Sequence, residues 1–577
     1  MGNNIFVNNL PKIYGAYTGG FLLFIIFLAI AEQMGMSNQM IGWIFMAATI
    51  GLYAMIGIIS RTSDVAEYYV AGRRVPAVFN GMATGADWMS AASFIGMAGT
   101  LYALGYDGLA FIMGWTGGYV LVALFLAPYL RRFGQFTIPD FLGTRYGGNA
   151  ARVIGIIAAI MASFAYVTAQ VYGVGIITSR FLGIALEVGV FVGLVGILIC
   201  SLLGGMRAVT WTQVAQYIIL IIAYLVPIVW LSYQLTGVPV PQLMYGEILQ
   251  RITELETQLG ITKHHVQPFV NNDKANFLAL TFCLMVGTAA LPHFLMRYYT
   301  TPSVREARNS VGWSLFFIFL LYFSAPAYAA FAKYEVYTNV IGLPIDQLPA
   351  WVASWSKVGL VTIADTNNDG ILQLSELKLN ADVIVLATPE IAGLPYVVAG
   401  LVAAGGLAAA LSTADGLLLT IANALSHDLY FKMIDPNAPT KRRLLISKSL
   451  LLVVAGVAAY AASLKPDTIL HMVAWAFSIA ASAFFPALVL GIFWKRANKA
   501  GAVAGMLVGL SVCLFYLIGV KFYGMTPWFG IKDISAGLFG IPAGMITLIV
   551  VSLLTKEPDA EMQAFVESVR YPRLGIA

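Results

Sequence analysis

Four stretches of the chain carry residue types at spacings that chemistry could use. In 81–96, Asp87 and the hydroxyls of Thr84, Ser90 and Ser93 interrupt an apolar run that also holds Trp88. A carboxylate inside a bilayer costs at least about 2.5–3.5 kcal/mol, so it is a functional residue by default; a plain hydrogen bond to a neighbouring helix is the alternative. In 286–294, Pro292 removes a backbone donor and should kink or unwind its helix. Its neighbour His293 fits a ligand, a proton relay or, the favoured reading, a satisfied structural histidine. In 405–415, adjacent hydroxyls at Ser412 and Thr413, with Ala409 one turn earlier, suit a dehydrated Na+, although such a pair alone more often bonds back to its own helix.

The fourth stretch, 365–376, is of a different kind. Asp365, Asn367 and Asp369 stand at positions 1, 3 and 5 of the EF-hand pattern, Gly370 at 6, Ile371 at 7, Gln373 at 9 and Glu376 at 12. The pattern predicts a weak Ca2+ site of the extracellular sort, structural or regulatory in role. Val361-Thr362-Ile363 is a poor entering helix and no partner EF-hand is visible, so an Asx-rich turn without metal is the alternative.

The elements that must position these residues are membrane helices. The 577 residues are 59% hydrophobic and only 11% charged, with mean hydropathy +0.81, a surface no soluble fold could solvate. The balance of 33 basic to 28 acidic residues leaves no nucleic-acid footprint. Cys200, Cys283 and Cys513 lie singly in apolar runs and read as packing residues. No Walker A motif is present, which argues against direct ATP drive.

A crossing needs about 20 mostly apolar residues. Fourteen stretches qualify: 17–32, 38–60, 79–103, 108–130, 150–182, 186–203, 208–235, 275–298, 308–333, 393–428, 443–463, 469–493, 502–520 and 535–554. The first reads as a retained helix rather than a removed signal peptide. With the N-terminus inside, 23 of the 33 basic residues, Arg297 among them, fall on the inner side, although the outer side has the two longest loops, 236–274 and 334–392. The positive-inside rule then places both termini in the cytoplasm.

The interrupted stretches open blocks of five spans, 79–235 and 275–493. Odd-numbered blocks can be related only by an inverted repeat, and paired interruptions at corresponding positions point to a transport site near the midplane. The expected organisation is two helices in 1–78, the repeats 79–235 and 275–493 separated by the loop 236–274, two helices in 494–554 and a cytoplasmic tail 555–577.

The sequence resembles the sodium:solute symporters over about 38–555. In 491–505, Arg496 followed by four residues and Gly501-Ala502 is similar to that family's C-terminal signature. Gly204-Gly205-Met206-Arg207 through Gln213 resembles its fourth-to-fifth core-helix junction, and Leu411-Ser412-Thr413-Ala414-Asp415 with Leu425-Ser426-His427-Asp428 its eighth core helix. The resemblance implies an all-α polytopic membrane protein with a LeuT-type 5+5 inverted-repeat core and about 14 transmembrane helices. Within the family, 86–94, Gly105-Tyr106-Asp107-Gly108 and 287–293 look like acetate and short-chain monocarboxylate permeases. Gln213 stands where several members carry an aspartate, and the helix 17–32 and the long outer loop depart from acetate permeases.

The resemblance also implies a sodium site of the Ala86, Met89 and Ala409 carbonyls with the Ser412 and Thr413 hydroxyls. A break near Gly85 would free carbonyls for the cation, and the half-helix after it would offer N–H groups to a carboxylate. Candidate substrate contacts are Thr84, Gly85, Asp87, Trp88, Thr288 and His293. The function implied is Na+-coupled symport of a small organic anion across the bacterial inner membrane, with a small membrane subunit as a candidate partner. The alternatives are another solute such as an amino acid, H+ as coupling ion through Asp87 or His293, and a transporter-like solute sensor. An enzyme is not expected, because no nucleophile–base or metal constellation recurs outside the transport core. Asp87 beside an anion must be protonated, sodium-paired or turned away.

Overall fold

The structure is a computed structural model and describes residues 7–62 and 64–571. The side chain of Cys200 and the last six residues of the tail lie outside the described residues. Apolar runs set the helices, and polar caps set their ends. Helix α1 spans Leu10–Gln33 and α2 Asn38–Ile59, the latter started by the Ser37 hydroxyl accepting from the Met40 N–H. The next span is interrupted: α3 is Ala77–Trp88, a π-helical turn covers Ala92–Gly96, and α4 is Met97–Leu104. Helix α5 (Leu109–Leu121) returns toward the short α6 (Ile138–Tyr146), and α7 (Asn149–Leu182) runs to a Gly183 cap.

Helix α8, Leu186–Thr236, is bent at Gly205, where φ is 56° and an added Cβ would fall 2.6 Å from the Tyr68 carbonyl oxygen. Only glycine allows both that backbone and that approach. Helix α9 (Lys274–Thr288) is followed by Pro292–Thr300 at a 42° bend, the break expected of Pro292. Then come α10 (Val304–Tyr322), α11 (Ala325–Asn339), α12 (Tyr396–Asn423) and α13 (Thr440–Ser463). The chain closes with α14 (Ile469–Phe493), α15 (Lys499–Phe522), α16 (Gly537–Leu554) and the amphipathic α17 (Ala560–Arg570).

Eleven described helices are long and apolar enough to cross a membrane, or twelve with the bent pair counted as one span. All fourteen expected stretches are largely helical, but 108–130 lies with the end of 79–103 in one apolar stretch, Ala92–Phe133, and Leu186–Ile199 is a shorter apolar helix. Burial sorts the helices: 94% of the apolar window of the Tyr396–Ile434 span is buried, against 11% for α1. Helix α12 is the axis of the molecule, packed on α7 and α8, while α1 shows Leu23, Ile26 and Phe27 to the lipid. The 405–415 stretch is continuous helix; a π-helical distortion comes later, at Ala424–Ile434. Cys283 and Cys513 are free and buried, as packing residues should be.

Candidate functional site

The expected break near Gly85 falls one turn later. Helix α3 continues through Trp88, and the chain leaves helical geometry at Met89, with φ −78° and ψ 64°. Gly85 still accepts from the Met89 N–H at 2.8 Å. The Ser90 N–H turns to the Trp88 carbonyl at 2.8 Å, and the Ala91 N–H to Gln170 Oε1 at 2.7 Å. Those two N–H groups are the ones a continuing helix would give to the carbonyls of Ala86 and Asp87. The break thus frees two carbonyls, and α12 meets them.

Ser412 Oγ donates to the Ala86 carbonyl at 2.7 Å and Thr413 Oγ1 to the Asp87 carbonyl at 2.8 Å. The Ala409 carbonyl lies 2.9 Å from Ser412 Oγ and 3.3 Å from Thr413 Oγ1. Ala86, Ala409, Ser412 and Thr413 are therefore together, wholly buried, and Met89 sits at the break itself. Each hydroxyl bonds both to its own helix and across to α3, so the back-bonded alternative and the cross-helix cluster coexist. The hydroxyls and carbonyls are hard oxygens, here joined to one another by hydrogen bonds.

Asp87 is not left as a bare charge. Its Oδ2 accepts from Arg297 Nε at 2.8 Å and its Oδ1 from Gln213 Nε2 at 2.7 Å, and both Asp87 and Arg297 are fully buried. Arg297 also donates to Gln213 Oε1 and, at 2.8 Å, to Thr210 Oγ1, while Gln213 Nε2 donates to the Ser412 carbonyl at 2.7 Å. Sequence reading placed Arg297 with the inner loops; it stands instead inside the protein, beyond the Pro292 break. The signal was available, since Arg297 falls within 275–298. Beyond the three ways to reconcile Asp87 with an anion, the structure shows a fourth, pairing with an internal cation. Asp415, two residues past Thr413, accepts from Ser201, and its Oδ2 has no partner among the described residues.

Trp88 centres a buried aromatic cluster. Its ring lies 4.8 Å from Tyr119, 4.5 Å from Phe294, 6.0 Å from Phe477 and 6.2 Å from Trp115, centroid to centroid. The His293 ring lies 3.9 Å from Phe294, tilted by 43°, and 5.4 Å from Tyr166, edge to face. Neither nitrogen of His293 has a hydrogen-bond partner among the described residues, nor do Trp115 Nε1 and Tyr119 Oη. The favoured reading of His293 as a satisfied structural residue is thus corrected: its nitrogens are buried and unspent. Buried donors without partners are costly, and a ligand that accepts from them recovers the loss. Thr84 and Thr288 have already given their protons to Asn80 and Leu284 carbonyls one turn back, and Gly85 packs on Phe317 and Tyr217.

The outer loop 365–376 has no flanking helices. Strand β1 (Val361–Ile363) enters it and pairs antiparallel with β2 (Leu377–Leu379), Thr362 opposite Lys378. Within it the Asp365 carboxylate accepts from the Gly370 N–H at 3.1 Å, Asp369 from Ile371 at 2.8 Å, and Glu376 from Thr366 at 2.8 Å and Gln373 at 3.1 Å. These N–H groups of Thr366 and Gln373 hold the Glu376 carboxyl below its ordinary value. The loop is also tied to the segment before it: the Leu372 N–H donates to the Leu343 carbonyl, and the Gly342 N–H to the Leu372 carbonyl, both at 2.8 Å.

A helix broken inside the membrane, carbonyls freed toward paired hydroxyls and an internally neutralised acid beside unspent donors are the features of a secondary transporter. Residues 68–344 and 370–509 match the sodium:solute symporter family, and the chain belongs to it. It is 47% identical to an uncharacterized symporter of Cupriavidus necator, over 95% of this chain and 96% of that one. Its fold is similar to that of a Na+-coupled sialic acid symporter in a substrate-bound, outward-open state, with a TM-score of 0.67 at 17% identity, covering 90% of this chain and 99% of that one. The chain is a multi-pass membrane transporter, not an enzyme.

Proposed function

We propose that this transporter couples Na+ entry to the uptake of a small organic anion of the acetate or short-chain monocarboxylate class. The observation that carries the reading is the convergence of the Ala86, Asp87 and Ala409 carbonyls on the Ser412 and Thr413 hydroxyls at 2.7–3.3 Å. Sodium bound by these oxygens and the Met89 carbonyl would tie α3 to α12. The anion is favoured by the pairing of Asp87 with Arg297, which offsets the carboxylate at the break, and by Trp115, Tyr119 and His293, which have hydrogen-bonding capacity to spare. Trp88 would close the site over the solute; Thr84, Gly85 and Thr288 contribute shape rather than donors.

The remaining parts of the proposal concern architecture, a partner subunit and calcium. The core is a LeuT-type inverted repeat within fourteen crossings, in the bacterial inner membrane, with both termini cytoplasmic; removing Arg297 from the inner count leaves the charge asymmetry intact. The exposed face of α1 is where a small membrane subunit would sit. The outer loop would take Ca2+ through Asp365, Asn367, Asp369, the Ile371 carbonyl, Gln373 and Glu376, and Asp365 Oδ1, which has no partner, supports this. Calcium titration of the whole protein in detergent should raise its Tm, and Asp365→Ala with Glu376→Ala should remove the rise; an equal rise in that variant rejects the site.

The central test is uptake of labelled acetate, propionate and amino acids into proteoliposomes under an imposed sodium or pH gradient. Sodium-driven accumulation of the monocarboxylates is expected. Uptake of amino acids alone, or uptake driven by the pH gradient without sodium, overturns the assignment.

A further inference from the structure

Away from the transport site, a cavity of about 590 Å3 opens between the turn joining α6 to α7, the start of α15 and the segment that links α16 to α17. Arg145, Lys499 and Lys556 line it. Arg145 is 1% exposed; its Nε donates to the Gly491 carbonyl at 2.7 Å and its Nη2 to the Trp494 carbonyl at 3.2 Å. Its buried Nη1 has no partner, and its guanidinium has no carboxylate partner among the described residues. Lys499, the first residue of α15, and Lys556 are exposed and likewise unpaired among the described residues.

The acids nearby do not supply the missing counter-charge. Asp559 and Glu557 themselves line the cavity, but neither pairs with Arg145, Lys499 or Lys556: Asp559 caps α17 by accepting from the Met562 N–H at 3.1 Å, and Glu557 lies 3.9 Å from Arg496. The positive end of the 24-residue α15 adds to the field, its Gly501 N–H capped by the Asn498 side chain at 2.8 Å. The turn contributes room: a Cβ on Gly148 would sit 3.0 Å from Lys499 Nζ. A buried guanidinium without a counter-charge is strongly unfavourable, so an anion that meets it gains what the protein leaves unspent. Val503, Pro558 and Met562 give the same cavity an apolar wall.

We propose that this cavity binds a phosphate-bearing anion, held by Arg145, Lys499 and Lys556 at the N-terminus of α15. The one unspent guanidinium nitrogen of Arg145 and two ammonium groups, from three separate segments, suit a group with several oxygens, and the space is far larger than a halide needs. The phosphate comes from an anionic phospholipid headgroup, with its glycerol against the apolar wall, or from a soluble phosphate; basic pockets between membrane helices commonly hold such headgroups.

The test uses the full-length protein, delipidated in detergent, with Tm and native mass spectrometry as readouts. Phosphatidylglycerol, phosphatidylcholine, glycerol 3-phosphate and inorganic phosphate are added separately. Wild type should retain phosphatidylglycerol and gain Tm over the phosphatidylcholine arm, and Lys499→Ala with Lys556→Ala should lower retention at least about fivefold. An exposed control pair, Lys12→Ala with Lys441→Ala, should behave as wild type. A gain with the soluble phosphates that the Lys499/Lys556 variant loses supports the site with a soluble ligand. If the Lys499/Lys556 variant matches wild type with every probe, or the control pair loses as much, the proposal is overturned.

Discussion

At the scale of single residues, the Asp87–Arg297 pair is the feature on which the site's electrostatics turn. Two ions buried at hydrogen-bond distance offset each other's desolvation, and removal of one leaves the other uncompensated at a cost of about 3–5 kcal/mol. Arg297→Ala should therefore lower Tm by far more than Asp87→Asn combined with Arg297→Gln, in which both charges are gone and amide hydrogen bonds remain. A thermal melt of the three proteins in one detergent checks this, and equal losses in the single and double variants reject the pairing. The hydroxyls make a separate prediction. Ser412→Ala or Thr413→Ala removes one oxygen from the cluster, and a loss of about 1.4 kcal/mol raises the half-saturating sodium concentration about tenfold. Sodium titration of uptake, with membrane insertion confirmed by yield, is the measurement; unchanged sodium dependence in both variants moves the cation elsewhere.

At the scale of elements, the helices that carry the site are held by side chains from other helices. Gln170 of α7 takes the Ala91 N–H and so starts the second half of the broken span. Glu32, at the end of α1, accepts from the Tyr396 N–H at 2.7 Å and the Val397 N–H at 2.8 Å, which caps the first turn of α12. The peripheral helix, mostly exposed to lipid, thereby anchors the most buried one. Loss of a charged cap costs about 1–2 kcal/mol. Glu32→Ala should lower Tm accordingly, while Glu32→Gln, which retains an acceptor, should recover part of the loss. A Glu32→Ala protein that melts with wild type would show that α12 needs no such anchor.

At the scale of the whole molecule, the outer loops are fastened to the bundle by buried polar groups. The Asp107 carboxylate, beside α4, accepts from the N–H groups of Phe269, Asn271 and Asn272 at 2.6–2.8 Å. Next to it His265 is buried, its N–H on the Glu256 carboxylate and its carbonyl receiving the Tyr106 N–H at 2.9 Å. Burial first, and the charge of Lys333 second, push the His265 imidazole from 6.5 down to about 3. The unfolded chain then takes up a proton below pH 6.5 that the folded one refuses, so stability is complete above that pH and falls as pH drops toward 3, by at most about 1.4 kcal/mol per unit. His265→Gln should shrink the fall in Tm between pH 7.5 and pH 5; an undiminished fall assigns the acid sensitivity to other groups.

The sequence by itself determined the class of molecule. Composition and the length of the apolar runs demand a membrane bundle, since a bilayer admits only backbone satisfied within the span. Local rules located the Pro292 break, the Ser412–Thr413 pair and the calcium-like loop, because proline geometry and ligand spacing are properties of contiguous residues. What surrounds those residues was decided by tertiary structure. The break after Trp88 rather than at Gly85 depends on Gln170, 79 residues away from Ala91. The pairing of Asp87 depends on Arg297, 210 residues away, and the entering element of the outer loop became a strand because β2 lies beside it. A hydrogen bond or ion pair across such separations leaves no periodic trace in the chain: it exists only once α3, α7, α8, α12 and the broken span after α9 pack together and leave a buried charge or a freed carbonyl that must find its partner.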